Sequence, residues 1–166
     1  LTHSTLCEIR HSLNTADSFY SSEQDYYDKN MPVFDEFLDK FCSAMLHSEF
    51  EKEICDEWGR HTLKKCEYRN KRFSPEIVKL MQEENSLASE YERIMSNAKI
   101  NFDGKTLTLP GLMKYFGNDD RQVRRAAVNA FDEFLQSMET TLDELFDKMV
   151  KIRTQMGKTM GFENFV

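Results

Sequence analysis

Apolar residues recur at steps of three and four along most of the chain, and this spacing constrains the fold more than any other feature of the sequence. Such steps place apolar side chains on one face of an α-helix, whereas a half-buried strand needs strict alternation. The helical spacing is found in residues 34–46, 77–95, 123–135 and 142–156. The sequence therefore predicts a mainly α-helical domain built from several helices.

Glycine, proline and capping residues predict where the earlier helices begin and end. Helices are expected at about 49–57 and 60–72, and the motif FSPEIV supplies an N-cap serine, Ser74, followed by a proline at the first helical position. Pro32 lies within a helical pattern, where it removes a backbone donor and crowds the preceding turn. We expect it in the first turn of a helix or at a kink.

The later helices are predicted from the same kind of signal. Pro110 opens a short helix that Gly117 ends, and Asp119 caps a helix that is expected to run through Leu135. A separate apolar stripe begins at Leu142, after the polar run SMETT. The pattern thus predicts two helices in this part of the chain, with SMETT between them.

Residues 99–109, KINFDGKTLTL, are the exception to the helical pattern. Apolar and polar residues alternate on both sides of Asp103-Gly104, a pair that favours the positive φ angles of a tight hairpin turn. Two strands alone are barely stable in water, so one face of the hairpin must pack on helices. The predicted fold is therefore a multi-helix domain with one inserted β-hairpin.

The domain organisation and the cellular compartment follow from simple counts. Residues 1–18 are expected to form an arm or a short helix, and residues 19–166 a single helical domain. The four cysteines form no CxxC pair, which favours free thiols in a reducing cytoplasm. No apolar run has the length of a membrane span, so no membrane partner is expected. The chain begins with Leu1 rather than Met, and we expect it to belong to a longer protein.

A formal net charge of −7 argues against a nucleic-acid partner, since phosphate binding needs clustered lysine and arginine. Arg121, Arg124 and Arg125 form a local basic run flanked by Asp119 and Asp120. Two interpretations are open for this run, a phosphate site and the solvated face of a helix. The neighbouring acids favour the solvated face.

The chain shows no set of residues with catalytic or metal-binding spacing. His47 and Glu51 are four residues apart and could share a helix face, but two ligands do not make a zinc site. Cys55, His61 and Cys66 match no zinc-knuckle pattern. The motifs HExxH, GxSxG, GxxxxGK[ST] and GxGxxG are all missing. We therefore predict no catalytic, cofactor-binding or metal-binding residue in this chain.

Two stretches carry a resemblance to a known family, EENSLASEYERIMSNAKINFDGKTLTLPGLMKYFGNDDRQVRRAAVNAFDEFL (83–135) and VKIRTQMGKTMGFENFV (150–166). They contain in order a Leu-x-x-x-Tyr helix, an I-x-F-x-G-K hairpin, a D-R-x-V-R-x-A helix and a V-x-x-R-x-x-x-G-x-x-x-G-F-x-N run. In this order and spacing, the chain resembles the oligoendopeptidase F branch of the M3 zinc metallopeptidases.

The resemblance implies a largely α-helical parent enzyme that cleaves short peptides in a deep channel. In the family, zinc is held by the two histidines of HExxH and a later glutamate, and the HExxH glutamate is the general base. These residues lie downstream of the GF-x-N run, so none of them is carried over to positions 1–166. The chain is expected to be an N-terminal wall of the channel, inactive alone and without zinc of its own. Its hairpin is expected to be a structural tab, or else an edge that contacts substrate.

Partners follow from the same resemblance. The catalytic domain is the expected neighbour of the chain, the oligopeptide substrate is bound through the parent enzyme, and the isolated chain is expected to self-associate through the surface that the catalytic domain would cover. The alternative interpretation is a stand-alone helical module that binds peptides or proteins without catalysis.

Overall fold

The computed structural model of the protein describes residues 2–165. Within them the chain is mainly α-helical and carries a single two-stranded antiparallel hairpin, as predicted. The elements in chain order are α1 (Thr2–Leu13), α2 (Ser18–Leu46), α3 (Glu51–Trp58), α4 (Arg60–Lys71), α5 (Val78–Ser96), β1 (Ile100–Phe102), β2 (Lys105–Leu107), α6 (Leu109–Met113) and α7 (Arg121–Thr159).

The described residues group into two compact units. The first unit comprises the chain up to Gln24 together with Ser86–Met149, and the second comprises Asp25–Asn85 together with the chain from Val150 onwards. The boundaries between the units therefore fall within α2, α5 and α7. The division of the sequence after residue 18 stays a prediction, although α1 does place a short helix in the N-terminal stretch.

The short helices of the second unit end where glycine and the capping residues predict. Gly59, with a φ of 81°, separates α3 from α4 in a conformation that favours glycine. The Ser74 hydroxyl accepts a hydrogen bond from the backbone N–H of Glu76 at 3.3 Å. The first turn after this cap, Pro75–Ile77, is 3₁₀ rather than α-helical, and α5 follows it directly.

Pro32 lies inside α2, so the predicted helix start at this position is wrong. Because proline has no N–H, the carbonyl of Asp28 loses the donor that residue 32 would normally provide. The side-chain amide of Asn85 replaces that donor at 3.0 Å, and the amide of Gln82 donates to the next carbonyl, that of Lys29, at 2.6 Å. Two polar side chains of α5 thus satisfy the backbone around the proline and let α2 continue.

The C-terminal region forms one 39-residue helix, α7, so the two helices predicted around SMETT are wrong. SMETT contains neither glycine nor proline, and the hydroxyl of Ser137 donates to a carbonyl of its own helix at 2.6 Å. The start of α7 also differs from the prediction by one residue. The Asp120 carboxylate, not that of Asp119, accepts from the backbone N–H of Gln122 at 2.7 Å.

The hairpin has the predicted turn, with positive φ at Asp103 (52°) and Gly104 (69°). Ile100 pairs with Leu107 across the strands. The second strand is shorter than its sequence pattern predicts, because Leu109 already belongs to α6. The hydroxyl of Thr108 accepts from a backbone N–H of α6 at 3.3 Å, which explains why the strand ends there.

The hairpin contributes to the core of the first unit. Buried residues of this core come from β1, α6, α7 and the chain before β1, and they are Ala98, Ile100, Leu109, Leu112 and Ala127. The ring of Phe102 packs edge-on against Tyr115, with centroids 4.9 Å apart. The hairpin therefore has the helical support that two isolated strands require.

Candidate functional site

A cavity of about 410 Å³ lies within the second unit. This volume is within the range of small-molecule sites in proteins. Its walls come from α2, α4, the Pro75–Ile77 turn, α5, the end of α7 and the turn that follows α7. The lining residues are Asp35, Arg69, Arg72, Phe73, Ile77, Met81, Glu84, Met156, Gly157, Met160, Phe162, Asn164 and Phe165.

A glycine-dependent turn after α7 builds one wall of this cavity. Gly161 has a φ of 81°, and its N–H donates to the carbonyl of Lys158 at 3.0 Å, while the N–H of Phe162 donates to the carbonyl of Gly157 at 2.9 Å. These two bonds form a Schellman motif, the common helix end that requires a left-handed residue. The turn directs the chain from Phe162 onwards back along the last turns of α7.

Gly157 allows the returning chain to lie close to α7. A β-carbon at this position would stand 2.7 Å from the backbone oxygen of Asn164, well inside normal contact distance. Both glycines of the G-x-x-x-G-F-x-N run therefore have identifiable structural roles in this wall.

Most of the cavity wall is apolar. Phe73, Ile77 and Met156 are buried, while the other apolar lining residues are partly exposed. Three of the apolar lining residues are methionines, whose unbranched, polarisable side chains adapt to ligands of irregular shape. An apolar wall of this kind binds the hydrophobic part of a ligand.

Two ion pairs lie at the cavity. Arg69 donates to Asp35, and the Nε of Arg153 donates to Glu84 at 2.6 Å. The guanidinium of Arg153 also lies over the ring of Phe165, 5.7 Å from its centroid. Both acidic residues that line the cavity are therefore already paired with an arginine.

The two lining arginines retain unused donor capacity. Arg72 has no acidic partner among residues 2–165. The Nε of Arg69 is shielded from water and has no hydrogen-bond partner in the described part of the chain. The charge that is left uncompensated at the cavity is therefore positive.

The structure does not bring together the residues that were tested as metal ligands. His47 directly follows α2 and is exposed, with its Nδ1 2.8 Å from the carbonyl of Ser43 in that helix. His61 is exposed, Cys55 is half-buried and Cys66 is buried. Nowhere in residues 2–165 do three or more His, Cys, Asp or Glu side chains form a group that could hold a metal ion.

Cys66 instead belongs to the core of the second unit, with Cys42, Met45 and Leu63. Burial raises the pKa of the Cys66 thiol to about 11, and a hydrogen bond with Cys42 acts in the same direction. The thiol is therefore neutral at physiological pH, which is typical of a structural cysteine rather than a nucleophile. None of the four cysteines, all of which lie in the described residues, forms a disulfide.

One arginine of the basic run at the start of α7 donates hydrogen bonds to backbone carbonyls. Arg124 donates from Nη1 to the carbonyls of Asn118 and Asp119, at 2.6 and 3.0 Å. Arg124 thereby fixes the chain that leads into α7. This contact agrees with the solvated-face interpretation of the run.

The cavity was not predicted from sequence, although charged residues within two apolar stripes give one indication of it. Glu84 interrupts the apolar stripe of α5. Arg153 interrupts the apolar stripe of α7 in the same way. An acid and a base that each interrupt an apolar stripe indicate an ion pair between helices, and such a pair is found here.

Comparison with protein families and solved structures agrees with this fold. The family model described as the Peptidase M3 N-terminal domain matches residues 1–73. This match precedes the two stretches that carry the resemblance in sequence. No curated protein matches the chain.

Three solved structures match almost the whole chain. An X-ray structure described as an oligoendopeptidase F is 38% identical, with a TM-score of 0.96 over 98% of this chain and 29% of that one. A structure from Bacillus anthracis with the same description is 39% identical, with a TM-score of 0.94 over 97% of this chain and 30% of that one. PZ peptidase A, with an inhibitor, is 36% identical, with a TM-score of 0.94 over 98% of this chain and 29% of that one.

These matches show that the chain is similar to M3 peptidases and, over residues 1–73, to the N-terminal domain of that family. Two of the solved structures are described as oligoendopeptidase F, the branch that the sequence motifs of this chain resemble. It spans slightly less than a third of the length of the solved relatives. No described helix is long and apolar enough to cross a membrane.

Proposed function

We propose that this chain is the non-catalytic N-terminal domain of a zinc-dependent oligoendopeptidase, which hydrolyses peptide bonds in short peptides, and that it forms part of the wall of the substrate channel. The observation that carries the proposal is the similarity to oligoendopeptidase F over 97–98% of this chain but only 29–30% of the relatives. The remaining length of such an enzyme would hold the catalytic residues.

The residues present do not fit a zinc site. A catalytic zinc needs about three protein ligands and an open position for water. Residues 2–165 offer no group of three suitable side chains. We therefore assign the zinc of the parent enzyme to residues outside this chain and assign no catalytic step to residues within it.

An aromatic stripe on α2 supports a role in contact with a larger protein. Phe34, Phe37 and Phe41 recur at helical spacing and are 43%, 63% and 53% exposed, and the rings of the first two stack at a centroid distance of 6.2 Å. Contiguous exposed aromatic residues mark interaction surfaces. We assign the stripe to contact with the rest of the peptidase, and the same surface would cause self-association of the isolated chain.

The contacts of the hairpin support its role as a structural tab. Ile100 is buried in the core of the first unit, and Phe102 packs on Tyr115. These contacts use one face of the hairpin for the core. A role in substrate contact would need only the strand edge, and no observation favours it over the structural role.

We place the parent enzyme in the cytoplasm. The proposal rests on Cys7, Cys42, Cys55 and Cys66, none of which forms a disulfide. Free buried thiols persist in a reducing compartment.

Exchange of domains in a relative tests the proposed function. The segment of PZ peptidase A that matches this chain would be replaced by residues 1–166, and cleavage of a fluorescence-quenched short peptide would be measured. We expect the chimera to cleave the peptide in a chelator-sensitive way, and we expect the isolated chain with added zinc to be inactive. A matched chimera that carries Phe37→Ser and Phe41→Ser should lose activity or expression.

Two results would contradict the proposal. Chelator-sensitive cleavage by the isolated chain would show that the chain is itself catalytic. A soluble chimera without activity, together with a strictly monomeric isolated chain at high concentration in static light scattering, would favour the stand-alone binding module instead.

A further inference from the structure

We propose that the cavity of the second unit is a binding site for a small amphipathic carboxylate, with Arg72 as the residue that receives the carboxylate group. The proposal is independent of the peptidase function, since it concerns only residues 35–165 and a ligand that is not cleaved. It rests on the shape of the cavity, on its apolar wall and on the one charge that is left uncompensated there.

The apolar wall requires that most of the ligand be hydrophobic. Phe73, Ile77, Met81, Met156 and Met160 come from three different parts of the second unit and line one cavity of about 410 Å³. Binding sites of this size typically combine such a wall with a few polar groups that orient the ligand. A fully polar ligand would bury these side chains without gaining hydrophobic contact.

The charged residues at the cavity favour an anionic ligand over a cationic one. Asp35 and Glu84 are the acidic lining residues, and each is paired with an arginine. A cationic ligand would have to compete with those arginines. An anion would instead meet Arg72, which has no acidic partner among the described residues.

The number of free positive groups limits the charge of the ligand to one. Arg69 keeps its ion pair with Asp35, so Arg72 supplies the only full positive charge among the described lining residues that is not already matched. A guanidinium pairs well with a carboxylate because its N–H groups match the two oxygens. A monocarboxylate with an apolar body therefore fits the site better than a phosphate, which carries more charge.

Arg69 provides a second point of attachment for the same group. Its Nε has no hydrogen-bond partner among residues 2–165 and is shielded from water, and leaving a buried donor unpaired is unfavourable. A small movement of the Arg69 side chain would let this N–H reach a ligand oxygen while its terminal nitrogen keeps Asp35. The two arginines are three residues apart in sequence, at the end of α4 and immediately after it.

Two sources of such a ligand share this chemistry, namely the free C-terminus of a peptide that ends in an apolar residue and a medium-chain fatty acid. Three probes separate them: N-acetyl-Leu-Phe with a free carboxylate, the same dipeptide as its C-terminal amide, and decanoate. Binding of each to the purified 166-residue chain would be measured by isothermal titration calorimetry.

We expect at least one of the two carboxylates to bind with one-to-one stoichiometry. The amide should bind about tenfold more weakly than the dipeptide acid if the peptide is the ligand, because a charge-assisted hydrogen bond is lost. Raising the ionic strength should weaken binding of the carboxylate, since Arg72 lies at the exposed side of the cavity. Preference for the dipeptide acid identifies a peptide C-terminus, and preference for decanoate identifies a fatty acid.

Arg72→Gln is the deciding variant, and Arg60→Gln is its matched control because Arg60 is an exposed arginine of α4 that does not line the cavity. Arg72→Gln should weaken carboxylate binding about tenfold, while Arg60→Gln should leave it unchanged. Both variants replace exposed side chains and should fold, which circular dichroism would check. A second variant, Met160→Trp, should block the cavity and abolish binding of all three probes.

The proposal is overturned if neither carboxylate binds at millimolar concentration. It is also overturned if Arg72→Gln and Arg60→Gln bind the carboxylates equally well, or if Met160→Trp leaves binding intact. In the first case the cavity is a packing defect, and in the other cases the ligand binds elsewhere on the chain. None of these results bears on the activity of the domain-exchange chimera, so the two proposals fail separately.

Discussion

The two units of the chain use apolar residues in different ways. The first unit gathers Ile100, Leu109, Leu112 and Ala127 into a core in which the last two are fully buried. The second unit has a small core around Cys42, Met45, Leu63 and Cys66, and beside it a cavity with apolar walls and two ion pairs.

The difference indicates that the first unit is built for stability and the second for binding. In a closely packed core every buried methylene group stabilises the fold, and a void lowers that stability. A binding cavity leaves apolar side chains without such contacts, so the unit that contains it loses part of this stabilisation. The hairpin, which is the least helical feature of the chain, belongs to the closely packed unit. The cavity belongs to the unit in which two polar amides compensate a proline within a helix. Substitutions in the two units test this contrast.

Leu112→Ala should have the largest effect, lowering the free energy of unfolding by about 2–5 kcal/mol. Leu112 is wholly buried in the core of the first unit, so the substitution leaves a void there. Urea unfolding followed by circular dichroism measures the change. Leu13→Ala is the control, since Leu13 is 82% exposed, and it should change stability by less than about 0.5 kcal/mol. Equal effects for both variants would show that the first unit is not closely packed.

Gly157→Ala tests the wall of the cavity. Within a helix, replacing glycine by alanine normally stabilises the protein by up to about 1 kcal/mol. Here the added β-carbon would meet the backbone oxygen of Asn164 at 2.7 Å, so we expect destabilisation of about 1–3 kcal/mol. Gly117→Ala in the first unit is the control, because a β-carbon there meets nothing within 4 Å. A stabilising Gly157→Ala would mean that the chain after α7 does not return along it.

Asn85→Ala tests the compensation of Pro32 and should cost about 1–2 kcal/mol, because the buried carbonyl of Asp28 loses its donor. In a Pro32→Ala background the backbone N–H of residue 32 can reach that carbonyl again. The cost of Asn85→Ala should therefore fall by at least about 0.5 kcal/mol in the double variant. Strict additivity in this double-mutant cycle, measured by urea unfolding, would refute the link between the two residues.

Arg93→Gln should have the smallest effect. The Arg93 guanidinium donates to Glu90 at 2.6 and 2.9 Å, which holds the pKa of that carboxyl below its ordinary value. The pair thus adds stability at neutral pH, and this contribution is lost as the pH falls through the lowered pKa of Glu90. For an exposed pair we expect a change of less than about 1 kcal/mol at pH 7.

The direct measurement for this pair is an NMR titration of the Glu90 carboxyl. Arg93→Gln should return its pKa towards the ordinary value. Lys40→Gln, which breaks a different exposed pair with Glu36, should leave the pKa of Glu90 where it is. No movement of the Glu90 pKa in Arg93→Gln would show that the hydrogen bonds do not persist in solution.

The sequence predicted the fold where the structure depends on neighbouring residues. The helical spacing of apolar residues, the turn at Asp103-Gly104 and the helix end at Gly59 all act within a few residues, and the structure confirms each of them. The family also followed from local motifs, because the hairpin and the glycine run keep their order and spacing. These features are local, and a local pattern can be recognised in a single sequence.

The helix boundaries predicted from sequence were wrong where residues distant in the chain determine the local structure. Pro32 resembles a helix start in sequence, whereas in the structure Asn85, 53 positions away, supplies the donor that the proline lacks. SMETT reads as an interruption, although nothing in it prevents the helix from continuing through it. Propensity is weak compared with tertiary contacts, so the longer helices could not be delimited from sequence alone.

The sequence by itself thus determined the helical class, the inserted hairpin and the family, because periodicity, turn residues and motif spacing are encoded in short stretches of chain. Only the tertiary structure decided that Asp35, Arg72, Glu84 and Met160 line one cavity. These residues lie in or directly after four different helices, and the position of each helix is set by packing and ion pairs that no local pattern records.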